Sequence, residues 1–120
     1  MIRFWHNVKY ALSGIVNAFR TERHLRFHTA AAIVVTVAGL MLQMTRFEWI
    51  ILVLTMAMVI AAELVNSAVE RVVDLASAER HPLAKAAKDM AAGAVLVTAI
   101  ASVVIGLLLF GPHVWAVLSQ

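Results

Sequence analysis

The chain has 120 residues, 62% of them apolar and only 14% charged, with a formal net charge of +3 and no cysteine. That length allows one domain, and so apolar a composition lies far from the average of soluble domains. The missing cysteine excludes disulfides, thiolate metal sites and cysteine nucleophiles. The basic balance is read as a topology and headgroup signal, not as nucleic-acid binding, because its Lys and Arg flank long apolar runs.

In chain order, Phe4, Trp5, Val8, Leu12, Ile15, Val16 and Phe19 recur every three or four positions, with Arg3, Lys9, Ser13, Asn17 and Arg20 between them. This pattern predicts an amphipathic helix over about 4–25 that lies on a membrane surface. Asn7, Lys9 and Asn17 interrupt the run, so it lacks the continuous apolar core of a cleaved signal peptide and is expected to be retained. After the cluster Arg20 to Arg26, no charged residue occurs between His28 and Arg46, and a first spanning helix is expected over about 28–45. A short polar connection leads to Trp49, suited to the interfacial belt, and to a second span over about 48–70. Glu63 to Ala78 contains neither Gly nor Pro, so this helix is expected to continue past its apolar part. Ser77 to Pro82 reads as a turn, with Pro82 in the first turn of the next helix. The third span is expected over about 89–110, with the helix ending near Gly111–Pro112.

Nine of the ten Lys and Arg residues lie before the first span or between the second and third, and Arg46 stands alone on the other side. The amino terminus and the 71–89 connection are therefore expected to be cytoplasmic. The fold class is all-α integral membrane, with a surface helix and three transmembrane helices in one domain over 1–120.

Chemistry concentrates where the second span ends. Glu63, Asn66, Ser67, Glu70 and Asp74 follow one another at three- or four-residue spacing and form one polar stripe on a helix. Glu63 is the deepest. A carboxylate at the centre of a membrane helix costs roughly 2.5–3.5 kcal/mol on insertion scales, which makes it a functional candidate with a partner still to be named. Desolvation disfavours the charged form of a carboxylate, and one so placed can take a proton from a poor nucleophile such as an alcohol. Glu70, two turns nearer water, suits a hard cation, and Asn66 can hold a substrate oxygen or a metal-bound water.

Lys85, Lys88 and Asp89 open the third helix, ahead of the small residues Ala91, Ala92, Gly93 and Ala94. In an antiparallel pair, Lys88 and Asp89 reach the level of Glu70 and Asp74, a combination suited to a phosphate with its magnesium. Glu22 could complete a two-carboxylate magnesium site with Glu70, although no spacing rule requires it. No glycine-rich phosphate loop is present. Structural readings stand beside these: Glu63 with Lys88 as a buried pair or a proton relay in a small ion carrier, Arg71 and Asp74 as a solvated helix end, and a purely structural membrane oligomer. His24 and His28 have the i, i+4 spacing of a zinc pair but no third ligand nearby, as interfacial histidines do.

The string Glu63-Leu-Val-Asn66-Ser67-Ala-Val-Glu70-Arg-Val-Val-Asp74, with Lys88-Asp89-Met-Ala-Ala-Gly-Ala-Val95 after it, resembles the prokaryotic diacylglycerol kinase family. The resemblance runs ungapped over nearly the whole chain and takes in Tyr10 and Glu22. Thr21 to His28 and His81 to Asp89 are more similar to the Gram-positive branch, chiefly undecaprenol kinases. At position 28 the diacylglycerol-specific branch usually carries a glutamate, where this chain has His28. The resemblance implies a homotrimer with shared active sites in the bacterial cell membrane, with ATP and Mg2+ needed to phosphorylate a lipid hydroxyl on the cytoplasmic side. Undecaprenol is the favoured substrate and diacylglycerol the alternative. Carried over by position, it implies Glu63 as catalytic base, Glu22 and Glu70 as magnesium ligands, and Asn66, Lys88 and Asp89 around the phosphates. It further implies nucleotide contacts at Arg3, Tyr10, Glu79, Arg80 and His81.

Overall fold

The computed structural model describes residues 1–120 and is entirely helical, with α1 over Ile2–Thr21, α2 over Arg23–Met41, α3 over Arg46–Ala76 and α4 over Pro82–Leu118. The last three are long and apolar enough to cross a membrane. At 1.5 Å per residue, α2 with its 19 residues is about 28 Å long, α3 with 31 about 46 Å and α4 with 37 about 55 Å. A hydrocarbon core is about 30 Å thick, so α2 barely crosses it while α3 and α4 must project beyond it. The charged second half of α3 and the charged start of α4 lie together at one end of the molecule, because the two helices form its most extensive pairing and run antiparallel.

The single surface helix expected over 4–25 is divided. Glu22 adopts an extended conformation (φ −105°, ψ 111°) that closes α1 and opens α2, so Arg23 already belongs to the helix that crosses. Local hydrogen bonding accounts for the stop. The Glu22 N–H still donates to Ala18 O, and the Thr21 hydroxyl donates to Asn17 O at 2.9 Å.

α2 stops at Met41, short of residue 45. Gln43 takes a left-handed conformation (φ 53°) and the Met44 N–H donates back to Gly39 O at 3.4 Å. This six-to-one closure with a left-handed residue inside it is a Schellman motif. A capping box then starts α3: Thr45 Oγ1 accepts from the Glu48 N–H at 3.2 Å, and Glu48 Oε1 accepts from the Thr45 N–H at 3.1 Å. α4 starts on His81, whose Nδ1 accepts from the Leu83 N–H at 3.1 Å, and Pro82 stands in the first turn as expected.

α4 does not end at Gly111–Pro112. It continues through Pro112 to Leu118. A proline removes one backbone donor, a loss membrane helices tolerate when a neighbour steadies the turn. Here His113 Nε2 lies 2.7 Å from Glu48 Oε2, which fastens the segment beyond the proline to the start of α3.

Packing is closest at this same end, where Met44, Leu52 and Leu109 form a buried cluster flanked by Trp49 and Phe110. Only ten of 120 residues are buried, and α4 exposes Leu96, Val97, Ile100, Val103, Leu107 and Leu108. In hydrocarbon such side chains need no protein cover. Gly39 is required for the α2–α3 turn, since a Cβ there would stand 2.9 Å from the Met44 sulfur and 3.0 Å from the Trp49 ring. Gly39→Val is expected to destabilise the protein by about 1–3 kcal/mol through overpacking. Thermal unfolding in detergent checks this, and an unchanged midpoint would refute the close-packed turn.

Candidate active site

Glu63 is the most deeply buried ionisable side chain, 6% exposed. It faces α2, where His28 Nε2 lies 2.9 Å from Glu63 Oε1. The partner demanded by a carboxylate at this depth is therefore a histidine, and not Lys88. His28 was legible only as a residue at the mouth of the first span; nothing in the α2 sequence alone pairs it with a position 35 residues away.

One turn along α3, the Asn66 amide donates to Glu70 Oε1 at 3.4 Å, while Asn66 Oδ1 is buried with no partner. A buried carbonyl oxygen rarely lacks a hydrogen-bonding or coordinating partner in a native protein. Beside Glu70 it forms part of an all-oxygen donor set, the chemistry that suits magnesium. The residues fit such an ion. No group of three or more potential ligands is gathered within the chain.

Glu22 is brought to α3 by Arg71, not by Glu70: Arg71 Nη2 lies 3.5 Å from Glu22 Oε1. The same guanidinium donates to Asn17 Oδ1 at 3.0 Å and to Thr21 Oγ1 at 2.7 Å. Read from sequence as part of a solvated helix end, Arg71 instead clasps the α1–α2 junction and sets where Glu22 stands. It missed notice because it falls one position off the polar stripe.

Lys88 meets α3 as the antiparallel pairing required, with its Nζ 2.5 Å from Asp74 Oδ1. This end of α4 precedes the apolar stretch that crosses the bilayer. The hydrogen bond that Lys88 donates to Asp74 is the main reason its ammonium is held above its ordinary range, and the charges of Asp74 and Glu70 add to it. Asp89 pairs with Lys85 on its own helix, at 2.6 Å, and not with α3. Glu79, Arg80 and His81 line a hollow of about 740 Å³ together with Asp74, Lys85, Lys88 and Asp89. The Ser77 hydroxyl stabilises its rim by donating to Glu79 O at 2.7 Å. Arg3 and Tyr10 remain exposed on α1, away from that hollow.

On the membrane side, an apolar groove of about 300 Å³ runs between α2, α3 and α4, from His28 past Ala32 and Val59 to Phe110. Its walls are mostly aliphatic, with Thr55 and Ser102 as polar exceptions. A buried acid, a neighbouring cationic and acidic hollow, and a groove in the bilayer thus lie along one helix.

The prokaryotic diacylglycerol kinase family model matches residues 9–110. The chain belongs to that family. An undecaprenol kinase of Bacillus subtilis is 46% identical over 110 residues, covering 92% of this chain and 89% of the relative. A diacylglycerol kinase of Synechocystis is 44% identical over 99 residues, 82% of this chain and 57% of that protein. A diacylglycerol kinase of Escherichia coli is 31% identical over 104 residues, 87% of this chain and 85% of its own. The protein is a membrane-embedded lipid kinase: it takes a phosphoryl group from ATP and delivers it to a lipid.

Arg71→Ala is expected to free the α1–α2 junction, since the substitution removes every side-chain bond Arg71 makes to it. Limited trypsin digestion in detergent should then cut faster at Arg20 and Arg23. A digestion rate equal to that of the unaltered protein would show that the clasp does not hold α1.

Proposed function

We propose that the protein is an undecaprenol kinase of the bacterial cell membrane, making undecaprenyl phosphate on the cytoplasmic side with ATP and Mg2+. The observation that carries this reading is the buried Glu63 in contact with His28, which lines an apolar groove, in a chain 46% identical to an undecaprenol kinase. Identity alone discriminates poorly, because a diacylglycerol kinase is 44% identical. His28 favours the polyprenol: the groove is mostly aliphatic, and its polar mouth offers an imidazole where diacylglycerol-specific relatives usually carry a carboxylate.

Residues 1–120 act as a single kinase domain. α1 lies in the cytoplasmic interface with Phe4, Trp5, Leu12 and Val16 toward the acyl chains; all four are exposed within the chain. Three protomers form a homotrimer whose sites are shared, which accords with the large apolar surface each protomer leaves uncovered and with the small number of ligands gathered in one chain.

ATP lies along the stripe. Its base and sugar occupy the hollow at Glu79, Arg80 and His81, its phosphates run past Lys88 and Asp89 toward Glu63, and the exposed Tyr10 and Arg3 of a neighbouring protomer's α1 supply further nucleotide contacts. Asp74 and Glu63 are separated by about 16 Å of helix rise, so α3 acts as the ruler between the two ends of the nucleotide. Glu70 and Glu22 would hold the magnesium, whose contribution is to neutralise charge on the phosphate oxygens. Asn66 orients the phosphoryl group through its free amide oxygen and the bond to Glu70. Lys88 exchanges Asp74 for a phosphate oxygen.

The lipid hydroxyl gives its proton to Glu63, and its oxygen attacks the γ-phosphorus in line. The bond from phosphorus to the β,γ-bridging oxygen breaks, ADP leaves, and the proton passes from Glu63 to water as the product departs. Most of the acceleration comes from alignment of hydroxyl and phosphoryl group, with charge stabilisation beside it. The substrate never leaves the bilayer, which explains a base at the membrane boundary.

Purified protein given γ-labelled ATP should transfer label to undecaprenol faster than to diacylglycerol, and EDTA should abolish the transfer. Equal or faster labelling of diacylglycerol would contradict the polyprenol assignment. Flux of protons into liposomes without ATP would favour the ion-carrier alternative.

A further inference from the structure

The contact between His28 and Glu63 is the only side-chain hydrogen bond or ion pair that Glu63 makes within the chain. On α3 the nearby Asn66 bonds to Glu70 and not to Glu63. Glu63 Oε2 has no protein partner. The histidine stands on a firm base, because Leu25, one turn earlier on α2, is buried to 3% exposure and accepts from the Thr29 hydroxyl at 2.8 Å. Phe27 also meets the His28 ring edge-on, with centroids 5.6 Å apart.

From this geometry we infer that His28 is a positioning residue for the base: its Nε2, 2.9 Å from Glu63 Oε1, holds that oxygen and so leaves Oε2 for the lipid hydroxyl. The inference rests on the assignment of Glu63 as base. A glutamate side chain has three rotatable bonds, and no other side-chain contact within the chain fixes its outer two torsions. An imidazole at this distance does so without adding a second negative charge beside the carboxylate. It also leaves the proton balance of the reaction untouched: the hydroxyl proton arrives on Oε2, and His28 neither gains nor loses one.

The position of His28 extends its role to the substrate. It lines the groove and touches the base at once, so a chain lying in the groove brings its hydroxyl end past His28 to reach Oε2. The imidazole therefore sets both where the carboxylate points and how far the lipid can advance.

Three proteins decide the matter: the unaltered kinase, His28→Ala and His28→Gln, each assayed in mixed micelles with undecaprenol and saturating MgATP. The Ala variant should lose about 100-fold in kcat, the scale of loss expected when a reacting group is displaced by about 1 Å. Its KM for MgATP should stay within about twofold, because His28 touches no part of the nucleotide hollow. The Gln variant, whose amide can still donate to Oε1, should recover to within about tenfold of the unaltered kinase. If His28→Ala does not assemble, His28→Leu, which has bulk but no donor, takes its place under the same criteria. Turnover of the donor-less variant within about threefold of the unaltered kinase would overturn the inference, as would equal impairment of the Gln and donor-less variants. Failure of the unaltered kinase to phosphorylate any lipid is a separate result, which would remove the function assigned to Glu63 itself.

Discussion

Hydrocarbon offers no water to solvate a carboxylate, so a glutamate at the edge of the bilayer core must be supplied with a partner or be protonated. Glu63 is the residue on which that constraint falls, and the arrangement of the helices around it follows. α2 has to start early enough for His28 to reach it, which the break at Glu22 achieves by turning the chain before Arg23. α3 has to continue as one helix beyond the membrane, so that the acid at its boundary and the polar residues outside share a single rigid element.

The two ends of the molecule have opposite tasks. Away from the charges, the Schellman motif, the capping box and the Glu48–His113 contact tie α2, α3 and α4 together around Met44, Leu52 and Leu109. This closed end keeps the helices in register. At the other end α3 and α4 leave a polar hollow, and the apolar groove runs from His28 down to Leu52 and Phe110 at the closed end. A kinase acting on a membrane lipid must bring together a water-soluble nucleotide and a substrate that stays in the bilayer. One long helix crossing the boundary offers such a meeting place, with depth along it separating Glu63 from Glu70 and Asp74.

Most of the elements were legible because their signals are local: apolar runs bounded by charge, a short polar connection before Trp49, Pro82 after a polar turn. The stripe was legible too, since helical periodicity alone puts Glu63, Asn66, Glu70 and Asp74 on one face. Two kinds of feature were not. Helix ends set by backbone geometry, at Glu22 and beyond Pro112, depend on contacts with α3 that no local pattern encodes. Partners chosen across helices escaped for the same reason. Antiparallel pairing brought Lys88 to Asp74 as expected, but Asp89 pairs with Lys85 on its own helix, and Glu63 with His28. Arg71 shows how an off-stripe residue gains a role only when a second element arrives beside it.

The central claim is that Glu63 removes the proton from the lipid hydroxyl. The direct measurement compares Glu63→Gln with the unaltered kinase in two respects, transfer of γ-label to the lipid and equilibrium binding of MgATP. Glutamine keeps the shape and can still bond to His28, but it cannot take the proton. The account predicts that label transfer falls by at least about 100-fold, the usual contribution of a general base, while nucleotide affinity is unchanged. Transfer by Glu63→Gln within a few fold of the unaltered kinase would contradict it.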